Sequence, residues 1–309
     1  MPPDGVLVID KPAGPTSHDV VQRVRRLLDT PRAGHGGTLD PDATGVLLVA
    51  AGQATRFFPF LAGGRKIYEG LIRLGFATDT YDASGRPDGA ECRDWPERDA
   101  LSGAMAAFVG DILQTPPRFS AKKLAGRPVH RLARAGEDFD LAPCAVTVFR
   151  FDLKDYRPPL AAFEAECSSG TYIRSLAHDL GARLGCGAHL ASLRRTAAGA
   201  FDLSQAVTLE ALEQAAARGE AAGLFVPLER LLPELPAVAV RPEAEARVRN
   251  GSLLETAHLA SPLPAALPGP AEGSASAGVV RLFSASGRLL ALARHAPDGA
   301  ALHPFLVLP

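Results

Sequence analysis

Apolar positions fall into short runs whose period changes along the chain. Residues 5–10 (GVLVID) form a continuous apolar run ended by the breakers Lys11-Pro12-Ala13-Gly14-Pro15, which predicts a short buried strand. Val20, Val21, Val24, Leu27 and Leu28 then recur at helical spacing. Arg23, Arg25 and Arg26 lie largely off that face, and Thr16 or Ser17 is placed to cap the helix. Residues 31–37 read as a glycine-rich loop, 45–50 (GVLLVA) as a strand and 54–61 as a helix. The alternation of residues 66–74 predicts another strand, followed by a polar turn region over 79–89 and a helix near 100–109. Two more strands are predicted over 146–153 and 161–167, then an amphipathic helix over 172–184. Strands and helices mix without a regular βαβ period, which predicts an α+β fold rather than a doubly wound one.

The pattern changes after Leu232, where Pro233, Pro236 and Pro242 mark a linker. Beyond it, β-like runs at 279–283 and 289–293 flank Ser284-Ala285-Ser286-Gly287, a hairpin-like turn. Residues 258–278, rich in Ala, Pro, Ser and Gly, read as a flexible insertion with little capacity to form core. With 309 residues, 47% hydrophobic and 22% charged, the chain can hold one large and one small globular domain without disulfide or metal staples.

The formal net charge of -1 gives no overall attraction for a polyanion, but residues 115–135 are locally basic. Arg118, Lys122, Lys123, Arg127, Arg131 and Arg134 occur there without an acid, as either a solvated face or an RNA contact. Cys92, Cys144, Cys167 and Cys186 form no CxxC pair, and Cys186 with His189 makes only two potential ligands. Reduced thiols in a cytosolic protein are the simplest reading. The N-terminus has no basic and apolar signal pattern, and no apolar run reaches the roughly 18 residues of a membrane span.

Residues 32–53 (RAGHGGTLDPDATGVLLVAAGQ) concentrate the candidate chemistry. Asp40 follows a loop containing Gly34, Gly36 and Gly37 and precedes Pro41, which restricts its backbone to extended geometry. A carboxylate placed there either starts a turn or sits on a rigid loop facing a ligand. Asp40, Asp42 and Thr44 also fit the D-x-D-x-T pattern of haloacid-dehalogenase-like phosphotransferases, but no hydrophobic strand precedes Asp40 and no downstream acidic pair offers magnesium ligands. There is no G-x-x-x-x-G-K-[ST] phosphate loop.

The segment GHGGTLDPDATGVLLV resembles the catalytic motif of TruB-type tRNA pseudouridine synthases. Further resemblances follow in order: GVLVIDKPAGPTSHDVV, Arg65-Lys66-Ile67-Tyr68, PPRFSAKKLAGRPVHRLARAG, SSGTYIRSLAHDLG and LGCGAHLASLRR. Together they span roughly residues 5–232. The resemblance implies the pseudouridine synthase fold, α+β, with a mixed central sheet flanked by helices and a small C-terminal PUA-like β domain. It places a catalytic domain at 1–232, with a mobile RNA-binding segment at 115–136. The PUA-like domain would occupy 237–309, with a disordered Ala/Pro-rich insertion near 258–278.

The implied reaction converts uridine to pseudouridine at position 55 in the T loop of tRNA, after the nucleotide is flipped out. Asp40 would be the nucleophile, although attack on sugar or base and abstraction of a sugar proton all remain open. Aspartate, with an ordinary pKa of about 3.9, is already anionic at neutral pH. Arg174 would orient Asp40, and Tyr68 would stack on the base and could assist proton transfer. His35, with Gly36 beside it, would fill the gap left in the RNA, and Leu193 would floor the pocket. Lys11, Lys122, Lys123, Arg127 and Arg194 would contact phosphates. No cofactor or metal is implied. The expected partner is the tRNA T stem-loop, with no membrane, no obligatory protein partner and a monomeric, cytoplasmic enzyme. The same motif occurs in catalytic subunits of guide-RNA-directed pseudouridylases, and a tRNA-folding factor with secondary catalysis is a third reading.

Overall fold

A computed structural model describes residues 3–120, 122–124, 127–129, 132, 137, 139–262, 277–296 and 301–309. Among these residues the backbone is a mixed sheet carrying helices, joined to a smaller sheet. The large sheet runs, edge to edge, through Val226–Pro227, Gly5–Lys11, Thr44–Ala51, Ala188–Ala198, Lys66–Leu74, Leu160–Cys167, Cys144–Arg157 and Gly110–Gln114. The pairing of Ala188–Ala198 with Thr44–Ala51 is parallel, while its pairing with Lys66–Leu74 is antiparallel. The smaller sheet orders Ala237–Ala239, Val279–Phe283, Leu289–His295, Ala301–Val307 and Leu254–Glu255. This is the expected α+β arrangement of a mixed sheet with helices and a small C-terminal sheet.

The continuous apolar runs have a physical cause. Leu7, Ile9, Leu47 and Val49 point into a core shared with the helices, whereas Val6, Val8, Val46 and Leu48 point into a second core on the opposite face. Strands buried on both faces need no polar alternation. That second core also contains Val279, Leu289, Leu292 and Leu306 from the small sheet. Lys66–Leu74 alternates because Tyr68, Ile72 and Leu74 reach the helix-side core while Glu69 and Arg73 face outward.

The helix Ser17–Leu27 starts as its sequence dictates. Thr16 accepts from the Asp19 backbone and Asp19 returns a bond to Thr16, a capping box, while Val20, Val21 and Val24 are buried. The helix Ile173–Leu184 buries Ile173, Leu176, Ala177 and Leu180 and stops at Gly185 in the left-handed region.

Several expectations change. The glycine-rich stretch contains a strand, Ala33–Gly36, because its backbone pairs with residues 48–51. Glycines lack strand propensity, and the paired edge supplies what propensity does not. The helix expected over 54–61 is a 3-10 segment, Gly52–Phe57, followed by one α turn, Phe58–Leu61. Ala188–Ala198, a central strand, had no strand prediction, nor had the helix Leu209–Ala217 a helix prediction. The proline-marked connection is packed rather than loose: Leu231, Leu232 and Leu235 are buried in the core shared by the two sheets. Part of the segment expected to be mobile, and residues 263–276 of the Ala/Pro-rich insertion, lie outside the described residues. No helix among the described residues is long and apolar enough to cross a membrane.

Candidate active site

The loop carrying Asp40 is held from several elements. From the first strand, Lys11 donates through Nζ to the carbonyls of Pro12 (2.9 Å), Pro41 (2.7 Å) and Ala43 (2.8 Å). From the first helix, the Ser17 hydroxyl donates to the Leu39 carbonyl at 2.9 Å and accepts from the Leu39 N–H at 2.8 Å. From Ala188–Ala198, Arg195 donates to the Gly37 carbonyl at 3.1 Å. Gly45 closes the loop at φ +97°, where a Cβ would stand 2.1 Å from the Arg195 carbonyl oxygen, so only glycine fits.

Lys11 is therefore not the phosphate contact expected of it. Its side chain is fully buried and its three N–H groups have three internal acceptors. Desolvation lowers its pKa, which Asp42 and Asp40 partly offset.

Arg174, from the first turn of its helix, meets Asp40 across the fold. Its Nη2 donates to Asp40 Oδ1 at 3.0 Å and its Nε lies 2.9 Å from Oδ2. The same guanidinium donates to the carbonyls of Thr80 (3.3 Å) and Phe119 (3.0 Å) and lies 3.6 Å from Asp82 Oδ2. Arg174 is buried, with 7% of its side chain exposed, whereas Asp40 keeps 40% exposure toward the cavity. Burial pushes the Asp40 carboxyl above its ordinary value; Arg174 opposes this, Asp82 adds to it and Lys11 opposes it. Asp82 itself is braced by the hydroxyls of Thr80 and Ser84, each at 2.6 Å.

Asp40 stands where two cavities meet. The first, about 370 Å³, is lined by Asp40, Tyr68, Tyr172, Arg174, Leu193 and Arg195, with Lys66 and Lys122 also on its wall. The second, about 640 Å³, also reaches Asp40, Arg174 and Leu193, and opens toward His18, His35, Phe119 and Ser84. Tyr68 is buried, which raises its pKa and keeps the phenol neutral. Burial lowers the His35 pKa, with His18 and Arg195 contributing, so its imidazole is neutral at pH 7.

Asp40, Tyr68, Arg174 and Leu193 are thus brought together, with His35 on the adjoining cavity. Gly36 packs against Phe58, with a Cβ position 3.2 Å from that ring, and lines neither cavity. Arg194 is half-exposed and pairs with Asp10 at 2.7 Å. Arg127 is exposed and pairs with Glu137 at 2.7 Å. Lys122 lies 2.8 Å from the Cys144 thiol. The Lys123 side chain lies outside the described residues. Sequence reasoning missed Arg195, Lys66 and Asp82, whose signal was their adjacency to the predicted Arg194 and Tyr68 and to a polar turn.

The family model described as TruB family pseudouridylate synthase (N terminal domain) matches residues 25–173. That of the tRNA pseudouridylate synthase B C-terminal domain matches residues 174–233. The tRNA pseudouridine synthase B of Solibacter usitatus is 48% identical over 248 residues, 80% of this chain and 85% of the relative. That of Syntrophobacter fumaroxidans is 42% identical over 294 residues, 94% of this chain and 92% of the relative. Among solved structures, a chain of a Cbf5-Nop10-Gar1 complex superposes with a TM-score of 0.75 at 29% identity, covering 99% of this chain and 85% of that one. A chain from an H/ACA RNP bound to a substrate RNA containing 2'-deoxyuridine gives 0.74 at 28%, with the same coverage.

Proposed function

This chain belongs to the TruB family of pseudouridylate synthases, and we propose that it isomerises uridine to pseudouridine in tRNA, at position 55 of the T loop, with Asp40 as the reacting carboxylate. The observation that carries the reading is the Asp40–Arg174 pair at the junction of two cavities. The guanidinium is buried and fixed, while the carboxylate keeps a solvent-facing side. A planar fork holds a carboxylate in one orientation, as a lysine cannot.

A uridine within a folded stem-loop reaches Asp40 only by leaving its stack, at a cost of about a few kcal/mol. The first cavity receives the base: Tyr68 offers an aromatic surface, and Leu193 an apolar wall. The neutral His35 imidazole, on the second cavity, takes the place the base leaves. Lys122, on the wall of the first cavity, and Arg127 and Arg194 are the proposed phosphate contacts, and with a net charge of -1 such local cations would supply the attraction for RNA.

Identities of 42–48% to proteins named tRNA pseudouridine synthase B, against 28–29% to the chains from the H/ACA RNP and the Cbf5-Nop10-Gar1 complex, favour this reading over that of a guide-RNA-directed subunit. The test is incubation of purified protein with an unmodified tRNA transcript, followed by mapping of pseudouridine, with Asp40→Asn alongside. Product at the T-loop uridine without guide RNA, absent with Asp40→Asn although tRNA still binds, is the expected result. Binding without product from the wild-type protein would make it an RNA-binding factor instead.

A further inference from the structure

Arg195 is the largest fully buried side chain in the molecule's described part, at 1% exposure. Its Nε donates to the Val46 carbonyl at 2.7 Å and its Nη2 to the Gly37 carbonyl at 3.1 Å. Among the described residues no carboxylate pairs with it. A buried cation without a counter-charge is costly, so a purely structural arginine would be poorly placed here. The cost is compounded by Lys66, a second buried cation on the same cavity wall, whose Nζ donates to the carbonyls of Ala62 (2.8 Å) and Gly64 (2.7 Å). The lining of the first cavity therefore carries two buried cations in addition to Arg174.

Arg195 faces Tyr68 directly. The two are cross-strand partners in the antiparallel pairing of Ala188–Ala198 with Lys66–Leu74, which sets their side chains side by side on one face of the sheet, and the guanidinium partly offsets the effect of burial on the phenol. The direction of any hydrogen bond between them is forced. A guanidinium has only donors, so the phenol oxygen must accept. With a lone pair occupied in this way, the phenol proton is free to point elsewhere, and Tyr68 lines the cavity.

We propose that Arg195 is a positioning residue that acts through Tyr68, fixing the phenol as a hydrogen-bond donor to the pyrimidine rather than as a base. This rests on the proposed uridine isomerisation. When the bond between the sugar C1′ and pyrimidine N1 breaks, its electron pair leaves with the ring. The resulting anion spreads over N1 and the two carbonyl oxygens. The charge is discharged when C5 bonds to the electron-poor C1′; C5 then releases its proton to solvent and N1 takes one from solvent, leaving an isomer with no net change in atoms. Tyr68 transfers no proton in this sequence. It donates to the oxygen on which charge collects, and Arg195 and Lys66 lower the energy of that charge from behind. Preorganised donors aimed at developing charge in a site that excludes water are the strongest electrostatic device available to an enzyme. Burial of the phenol, which disfavours phenolate, agrees with a donor role.

The test compares Arg195→Lys, Tyr68→Phe and the double variant in single-turnover conversion of an unmodified tRNA transcript, with tyrosine 13Cζ NMR on the same proteins. The chain has four tyrosines, so the Tyr68 resonance is identified by its loss in Tyr68→Phe. Each single variant is expected to slow conversion by about tenfold or more, and the double variant by no more than about twofold beyond the slower single. The Tyr68 resonance should move in Arg195→Lys while the other three stay, which also reports an intact fold. In the wild type it should remain that of a neutral phenol past about pH 10, where a solvent-exposed tyrosine ionises. Multiplying rate losses, an unmoved resonance or wild-type ionisation near neutral pH would each overturn the proposal. A wild-type protein that makes no pseudouridine would instead remove the isomerase reading, and the resonance would still decide whether Arg195 holds Tyr68.

Discussion

Replacing Arg174 by lysine keeps the charge and removes the fork. Three guanidinium nitrogens make five contacts: two with Asp40, one each with the carbonyls of Thr80 and Phe119, and one at 3.6 Å with Asp82. A lysine brings one nitrogen with three N–H groups, so at least two contacts are lost. A hydrogen bond to a charged group contributes about 1.5–3 kcal/mol when buried. Asp40 is 40% exposed, so water recovers part of that loss. A net loss of about 2 kcal/mol in the transition state corresponds to about thirtyfold in rate. The assay is single-turnover pseudouridine formation in an unmodified tRNA transcript, with thermal melting and tRNA binding measured alongside. Binding should be close to wild type, because the outer phosphate contacts are untouched. A lysine variant within about threefold of the wild-type rate would refute the claim that the planar fork, rather than a positive charge alone, orients Asp40.

Asp82→Asn removes one of the groups that raise the Asp40 pKa, so the acid limb of the pH–rate profile should move to lower pH; an unmoved limb would separate Asp82 from Asp40 electrostatically. Lys66 has its pKa lowered to about 8 by burial, with Arg195 contributing. The folded protein therefore binds fewer protons than the unfolded chain between about pH 8 and 10.5, and stability contributed through Lys66 rises across that window. Lys66→Met should be the more stable protein at pH 7 by about 1–3 kcal/mol in denaturant unfolding. The difference should shrink toward pH 10, which isolates Lys66 from Cys167, whose thiol burial raises to about 11. For RNA affinity, raising salt from about 50 to about 200 mM should weaken tRNA binding by about twenty- to fortyfold if three phosphates are neutralised. Arg194→Ala should flatten that slope, whereas Lys11→Met should leave it unchanged and lower the melting temperature.

The two-faced strands were legible in the sequence because a continuous apolar run is what burial on both faces demands. The Ser17–Leu27 helix was legible because both its cap and its stripe are local features. Asp40, Tyr68, Arg174, His35 and Leu193 were singled out through the family resemblance, and the fold places all five on the walls of the two cavities. What failed was information carried by partners. Ala188–Ala198 is a central strand whose sequence, AHLASLRRTAA, alternates poorly because Arg194 and Arg195 are spent on opposite tasks. One pairs with Asp10 near the surface, and the other is buried beneath the cavity. Adjacent residues on a strand face opposite sides, so one arginine necessarily went where an apolar residue was expected. Lys11 failed similarly: an exposed lysine and a lysine with three carbonyls waiting for it look the same in one dimension.

The same partners decide how the site works. Asp40 is not held by its own loop, which has a glycine-rich approach and a proline exit. Its neighbours are tied to a strand through Lys11, to a helix through Ser17 and to a second strand through Arg195. The carboxylate is tied to another helix through Arg174. Each tie contributes a hydrogen bond to a group that would otherwise be buried unpaired, so each is stabilising as well as positional. A loop restrained from four elements cannot move its carboxylate without loosening the core. Arg195 belongs to two parts of this construction, since it restrains Gly37 with one nitrogen and is the cross-strand partner of Tyr68. One buried side chain thereby links the Asp40 loop to the strand that carries the phenol, the two groups proposed to act on the same flipped nucleotide.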